Sequence, residues 1–491
     1  MSDVKLALFR ELRQYTLDEI RGALGCTSEN ADKYINKLRK YGIVKLVKKG
    51  KLDYSDLTND DLILADSAED ISDSCYKFDF VGVAAVQDKV FFCYPKYIAN
   101  ENCENFREEF KLAIRAIRKK DSKGELVHLH NGDEKGHFNR LALALHVLQD
   151  YFDNGIYTNT QEIIETNGDG EIDWNRTINE TFAYIKNNYP YYLELRTLSS
   201  QNDDFDYFKR LHECIVTQCS KYLEDLTLLD IFDFPKVLLS EHELNDFGDS
   251  DYIRYRLERE ISTQFVTRKQ NLLKTLYTFV AESSTSAQEN SYSLYGTNSM
   301  NLVWEDACGA IFGNIYDEIK SEITKPKWQF KNSIHETNTL IPDIVTKCSI
   351  GDNNVFCILD GKYYIIKTED SISGNPGVED IIKQFAYYDV LRDYLHSQPG
   401  ISVFNAFLFP LTDEKNIEGN IYIRGFVTMQ KWRDEEIVPI YLVFLKPSFV
   451  WNNYLKGSNQ NQSLAEAMKK IRLEDVFRNV LKYPDTLQYM E

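Results

Sequence analysis

Residues 340–350 (Leu-Ile-Pro-Asp-Ile-Val-Thr-Lys-Cys-Ser-Ile) and 355–366 (Val-Phe-Cys-Ile-Leu-Asp-Gly-Lys-Tyr-Tyr-Ile-Ile) are two apolar runs rich in β-formers. The turn-forming tetrapeptide Gly351-Asp-Asn-Asn354 separates them, a pattern that predicts a β-hairpin. Asp343 then lies near the start of one strand and Asp360 further along its partner. Asp360 and Lys362 are two positions apart, so their side chains share one face. Two carboxylates converging beside a lysine can hold a divalent metal ion and a water aimed at a phosphodiester. The lysine of such a set positions or helps deprotonate that water and offsets developing negative charge.

An acidic residue two positions before a lysine is common, and Asp121-Ser-Lys123, Asp133-Glu-Lys135, Glu318-Ile-Lys320 and Asp413-Glu-Lys415 match it too. Asp360-Gly-Lys362 stands apart because an apolar strand precedes it and Pro342-Asp343 lies upstream across a turn. The elements around it also fit. Apolar residues at 381, 382, 385, 386, 390 and 391 predict a helix over 378–396, with Gln384 and Tyr388 one turn apart on one face. Residues 300–319 read as a helix carrying Glu305 next to Trp304.

This helix–hairpin–helix order resembles the PD-(D/E)xK nuclease superfamily with its QxxxY extension. The resemblance gives Asp343 and Asp360 the roles of the two acids and Lys362 that of the lysine. Gln384 and Tyr388 match the Q and the Y, and Glu305 fits the first-helix glutamate. Gly361 departs from the small apolar residue usual between acid and lysine. The structural alternative is a surface hairpin with a chance Asp-x-Lys. A closer similarity is carried by Phe80-Val-Gly82 with Tyr94-Pro-Lys-Tyr97, Gly170-Glu-Ile-Asp-Trp-Asn-Arg-Thr-Ile178, Tyr295-Gly-Thr297 with Val303-Trp-Glu305, and Pro376-Gly-Val-Glu-Asp380. These strings, over roughly residues 75–395, resemble the LlaJI family of restriction endonucleases, which are similar to McrC, the nuclease partner of the McrB AAA+ GTPase. The resemblance implies a type II-like site-specific deoxyribonuclease that cuts double-stranded DNA in the bacterial cytoplasm. It implies Mg²⁺ as cofactor with Mn²⁺ as a substitute, catalytic Asp343, Asp360, Lys362, Gln384 and Glu305, metal ligands Asp343, Asp360 and Glu305, and a McrB-like AAA+ GTPase as partner.

The first fifty residues differ from the rest. Apolar residues at 4, 8 and 12, with Leu6 and Phe9 between them, predict a helix over 4–14. Thr16-Leu-Asp-Glu19 is a capping box opening a second helix that closes near Gly25. Thr27 and Ser28 offer an N-cap for a third, which Gly42 stops. Residues 43–47 then alternate like a strand before a Lys48-Lys-Gly-Lys51 turn. Three short helices, a strand and a basic turn resemble a winged helix-turn-helix. Between Ala31 and Lys51, the eight basic residues Lys33, Lys37, Arg39, Lys40, Lys45, Lys48, Lys49 and Lys51 stand against one acid, Asp32. Such local charge suits phosphate contact, and a protein-binding winged helix is the alternative.

Other motifs are negative. There is no GxxxxGK[ST], so no P-loop, and neither GxSxG nor HExxH occurs. His128, His130 and His137 read better as structural or exposed residues than as a metal site. Asp169, Glu171 and Asp173 alternate like calcium ligands, but Trp174 stands where an EF-hand loop needs glycine. The nine cysteines form no CxxC pair, as expected of reduced thiols in a cytosolic protein. The start lacks a signal-peptide pattern and no apolar run is long enough to span a membrane. With 57 Lys+Arg against 76 Asp+Glu the net charge is −19, which argues against a protein that coats nucleic acid non-specifically but leaves room for a local basic site.

For 491 residues these readings predict a multidomain α+β and α/β chain. Its expected parts are a winged-helix-like DNA-binding module at 1–52, an acidic linker at 53–73, a mixed α/β middle domain at 74–265 for partner or DNA contact, and a PD-(D/E)xK nuclease domain at 266–491. Two other functions compete with restriction: a winged-helix transcriptional regulator with a degenerate nuclease fold, and a repair nuclease. Retention of Asp343, Asp360, Lys362 and Gln384 together argues against the regulator.

Overall fold

The computed structural model describes residues 7–48, 74–86, 89–99, 105–121, 140–202, 206–283, 292–330, 333–337, 340–350, 353–367, 372–398, 400–412, 419–429 and 438–470. The expected linker at 53–73, Lys49, Lys51 and the histidines at 128, 130 and 137 lie outside them. The chain divides into two units, Met1–His130 with Leu294–Glu491, and Asn131–Ser293. This partition departs from the three consecutive segments expected from sequence: residues 74–130 belong with the C-terminal part and residues 266–293 with the middle.

In the first unit, Thr16 caps the helix Leu17–Leu24 reciprocally with Glu19, and Gly25 ends it in the left-handed conformation. Ser28–Lys40 forms the next helix, and Val44–Lys48 a strand pairing with Ser74–Phe78. The helix expected over 4–14 is not formed. Ala7–Arg10 is a strand running parallel to Lys89–Tyr94, and Leu12 turns the chain at a φ of 60°. The i, i+4 apolar spacing loses to a tertiary partner, since Ala7 and Phe9 are buried on one strand face and Phe9 stacks on Phe78 and Phe91. The N-terminal segment is thus two helices joined to sheets rather than a three-helix module. Val81–Val86 and Lys89–Tyr94 form a hairpin, and Tyr292–Thr297 completes their sheet beside Val81–Val86. Gly82 and Gly296 allow that last pairing, because a Cβ on either would fall about 2.2 Å from the opposing backbone.

The predicted 340–366 hairpin forms as Ile344–Ile350 antiparallel to Asn353–Gly361. It opens a five-stranded sheet that continues, in order, with Ser402–Pro410, Ile440–Leu445 and Ile421–Val427. Asn353–Gly361, Ser402–Pro410 and Ile440–Leu445 are mutually parallel, and the two outer strands run antiparallel to their neighbours. The Val378–His396 helix makes the connection between the first parallel pair. Alternation along Asn353–Gly361 assigns a helix to each face. Phe356 and Ile358 pack with Tyr387, Leu391 and Tyr394 of Val378–His396, whereas Gly361 abuts Glu305 and Cys308 of Met300–Phe312. The helix expected over 300–319 is interrupted by Gly313 and resumes as Tyr316–Ile319.

The second unit packs the helices Arg140–Asn154, Tyr207–Asp225 and Thr267–Ser283 around one apolar core, with Ser250–Thr263 against the last of them. Gln264–Val266 separates Ser250–Thr263 from Thr267–Ser283. Glu171–Ile172 joins a three-stranded sheet with Thr160–Thr166 and Arg196–Asn202, and Asp173 caps the helix Trp174–Glu180. Ala183–Lys186 and Tyr189–Tyr192 form a hairpin whose two-residue loop, Asn187-Asn188, takes positive φ at both positions. Asparagine tolerates that conformation, and it matches the twist of paired strands. No helix among the described residues is long and apolar enough to cross a membrane.

Candidate active site

The candidate residues meet at the end of the Asn353–Gly361 strand. Asp360 is its penultimate residue and is 1% exposed. The Lys362 backbone N–H donates to Leu408 O at 2.9 Å, extending the ladder one step and fixing the lysine stem. Its Nζ lies 3.1 Å from Asp360 Oδ2 and 2.9 Å from Asp380 Oδ1. Asp343 sits at the mouth of the neighbouring strand, partly exposed. Asn314 holds it there: Nδ2 donates to Asp343 O at 2.9 Å and Oδ1 accepts from Val345 N at 3.2 Å.

Electrostatics tie these groups together. Burial first, and then the hydrogen bond and charge of Asp343, push the Asp360 carboxyl up to about 8, with Lys362 pulling it back. Burial alone would lower Lys362, but the carboxylates of Asp360 and Asp380 outweigh it and hold the ammonium above its ordinary range. Glu305 is also raised, by burial and then by Asp360, against the pull of Lys362, Lys120 and Lys383. Burial and the same three acids push the Cys308 thiol up, leaving it an unreactive neighbour.

The donor set suits a hard divalent cation. It consists of carboxylate oxygens, and the buried Asp360 Oδ2 receives no aligned hydrogen bond. Two such acids held together need a proton or a cation between them. The fit is to Asp343 and Asp360. Among the described residues no group of three or more His, Cys, Asp or Glu is arranged to hold a metal ion; Glu305 stands beside the pair, its carboxyl raised by burial and then by Asp360.

Gln384 is wholly buried behind this centre. Its Nε2 donates to Asn405 Oδ1 at 2.7 Å and to Ile358 O at 3.3 Å, joining the helix to the two central strands. Tyr388, one turn on, packs against the apolar cluster around Phe356 and Leu391. Sequence reasoning missed Asp380, Asn405 and Asn314. Asp380 had a signal, since it lies one turn before Gln384 on the predicted helix. Asn405 and Asn314 had none, because their partners are set by tertiary pairing.

The N-terminal basic residues are spread over two elements. Lys33 pairs with Glu29 at 3.2 Å and Lys45 with Asp79 at 2.6 Å. Lys37 is half-buried, and Arg39 and Lys40 are exposed at the end of Ser28–Lys40. Lys48 ends the following strand.

Comparison with known proteins follows the same lines. Residues 80–446 match the model of the LlaJI restriction endonuclease family. The chain is 28% identical over 441 residues to the type II restriction enzyme BsuMI component YdjA of Bacillus subtilis (strain 168), covering 87% of this chain and 90% of that protein. Among solved structures it is similar to a half-complex from a tetradecameric assembly of Thermococcus gammatolerans McrB AAA+ hexamers with bound McrC. There the TM-score is 0.34 at 11% identity, over 92% of this chain and 98% of that one. A second structure, the McrBC complex of the same organism, gives a TM-score of 0.23 at 13% identity over 61% and 84%. With the family model spanning most of its length, this chain belongs to the LlaJI family of restriction endonucleases.

Proposed function

We propose that this chain is the nuclease subunit of a restriction system. In this reading it hydrolyses phosphodiester bonds of foreign duplex DNA in the bacterial cytoplasm, site-specifically in the manner of a type II enzyme, with a McrB-like AAA+ GTPase as partner. The observation that carries the reading is the meeting of Asp343, Asp360 and Lys362 at one strand end, the arrangement of a PD-(D/E)xK centre. Asp343 and Asp360 would hold Mg²⁺, or Mn²⁺ in its place, which when bound supplies Lewis-acid stabilisation of the phosphoryl oxygens and an acidified water. Lys362 keeps a fixed positive charge beside the acid pair, suited to a non-bridging phosphate oxygen and to orienting the attacking water. Glu305, raised by the same surroundings, is suited to accept or return a proton at its carboxylate. Gln384 holds the acid-bearing strand against its helix.

Partner binding is supported by the second unit. Its Ala183–Lys186/Tyr189–Tyr192 hairpin and flanking residues expose Phe182 (91%), Tyr184, Ile185 (77%), Tyr189, Tyr191 and Leu193. An apolar surface of this extent marks an interaction site in a soluble protein, and we assign it to the GTPase.

The test is cleavage of methylated and unmethylated plasmid by the purified protein, with and without a McrB-like AAA+ GTPase. Asp360→Ala and Lys362→Ala should each lower cutting at least 100-fold while leaving folding and DNA binding near wild type, since the lost interactions belong to the transition state. Excess EDTA should stop the reaction, and Mg²⁺ or Mn²⁺, but not Ca²⁺ alone, should restore it. Wild-type cutting by either variant, or full cutting in EDTA, would sink the assignment.

A further inference from the structure

We infer that Asp380 is a positioning residue for Lys362, holding its ammonium in a bridge between two carboxylates so that it stays beside Asp360 without closing over it. The inference rests on the reading of Asp360 and Lys362 as the cleavage centre. Lys362 Nζ is 2.9 Å from Asp380 Oδ1 and 3.1 Å from Asp360 Oδ2, and its side chain is only 13% exposed. An ammonium has three N–H donors. Asp380 takes one along an aligned bond, while no aligned N–H reaches Asp360 Oδ2 at 3.1 Å, which leaves the others for oxygens of the substrate phosphate. Without Asp380 the ammonium would have one carboxylate partner in place of two, and pairing with Asp360 would occupy the oxygen that the acid pair must offer.

The fold fixes Asp380 from three sides. It is the third residue of Val378–His396, in the first turn after the Gly377 cap. Gln384, one turn on, anchors that helix to Ile358 O and Asn405 behind the Asn353–Gly361 strand. The Tyr364 hydroxyl stands 3.5 Å from Asp380 Oδ2, and Tyr364 is two residues beyond Lys362 on the same segment. Asp380 therefore relates the helix to the lysine, and its carboxylate is not one of the acids facing Asp343. A purely structural acid at a helix start would serve the first-turn N–H groups and dipole instead.

The experiment compares Asp380→Asn, which keeps size and removes charge, with Asp380→Glu, which keeps charge, in the full chain with its partner GTPase. Asp360→Asn runs in parallel. Expected for Asp380→Asn is a fall of at least tenfold in kcat at saturating DNA, KM within threefold of wild type, an unchanged thermal midpoint, and recovery to within threefold of wild-type kcat in Asp380→Glu. A crystal structure of Asp380→Asn gives a readout independent of turnover, and Lys362 Nζ should move from the bridge onto Asp360. Unaltered kcat in Asp380→Asn, equal losses in Asn and Glu variants, or a Lys362 that stays in place would each overturn the inference. Cleavage that survives Asp360→Asn overturns the underlying reading instead, so the two failures are distinguishable.

Discussion

At position 361 a methyl group has little room. A Cβ there would stand 3.2 Å from Glu305 Cα and 3.4 Å from Glu305 Cγ, so the glycine between Asp360 and Lys362 lets the Met300–Phe312 helix lie directly on the strand end. This accounts for the one departure from the usual acid-x-Lys pattern: the small apolar side chain is replaced by helix backbone. Overpacking in so close an approach costs about 1–3 kcal/mol. Gly361→Ala should therefore lower the unfolding free energy by that order, seen as a lower denaturation midpoint, and displace Glu305, with a loss of cleavage exceeding any loss of DNA binding. An unshifted midpoint in chemical denaturation would mean that the helix yields freely and that the glycine has no packing role. The same closeness explains the raised Glu305 carboxyl, which shares its buried surroundings with Asp360.

Among the elements, the Ala183–Lys186/Tyr189–Tyr192 hairpin puts the large side chains of Tyr184, Ile185, Tyr189 and Tyr191 in water, with Phe182 just before its first strand. Tyr184 and Tyr191 are register partners across it, so replacing both removes one cross-strand pair and leaves the Asn-Asn turn and the backbone ladder in place. Replacing Phe182, Tyr184 and Tyr191 with serine should abolish complex formation with the GTPase in size-exclusion chromatography while circular dichroism stays unchanged. Retained complex would move the partner surface elsewhere. The helices of the same unit bury His212, whose Nδ1 accepts from Tyr157 N at 3.0 Å. Burial lowers its pKa from 6.5 to about 4. Unfolding then takes up a proton between these values, so His212 contributes stability that is present above pH 6.5 and lost as pH falls toward 4, up to about 3 kcal/mol. His212→Gln should flatten that part of the pH–stability curve, as read by urea denaturation at pH 7 and pH 5.

On the scale of the whole molecule, a net charge of −19 repels DNA except where cations are concentrated. Lys37, Arg39 and Lys40 cluster in the last turn of the Ser28–Lys40 helix, and that end is where phosphate contact is expected. Neutralising the three together should weaken DNA binding and reduce the salt slope by up to about 0.9 for each phosphate no longer neutralised. Gel-shift titrations across salt check this, and no change in either quantity would reassign the helix to protein contact. The helix belongs to the same unit as the candidate centre, so an effect on binding should carry through to cleavage at low DNA concentration.

Periodicity, caps and turns are local, and the elements they specify were legible in the chain itself. The Thr16/Glu19 capping box, the antiparallel pairing of the two β-rich runs as Ile344–Ile350 and Asn353–Gly361, and the Val378–His396 helix all form where their residues place them. Asp360 and Lys362 share a strand face for the same reason. Tertiary structure alone decided the rest. Residues 7–10 have helical spacing yet become a strand, because Phe91 and Phe78 offer buried partners that a helix would forgo. Asp380 reaches Lys362 across 18 residues, Gln384 reaches Asn405 across 21, and Tyr363 donates to Glu11 across 352. The same applies to the joining of residues 1–130 with 294–491. Parallel strand pairing and convergent ion pairs bring together residues with no fixed sequence spacing, and their energies are collected only when the chain closes on itself.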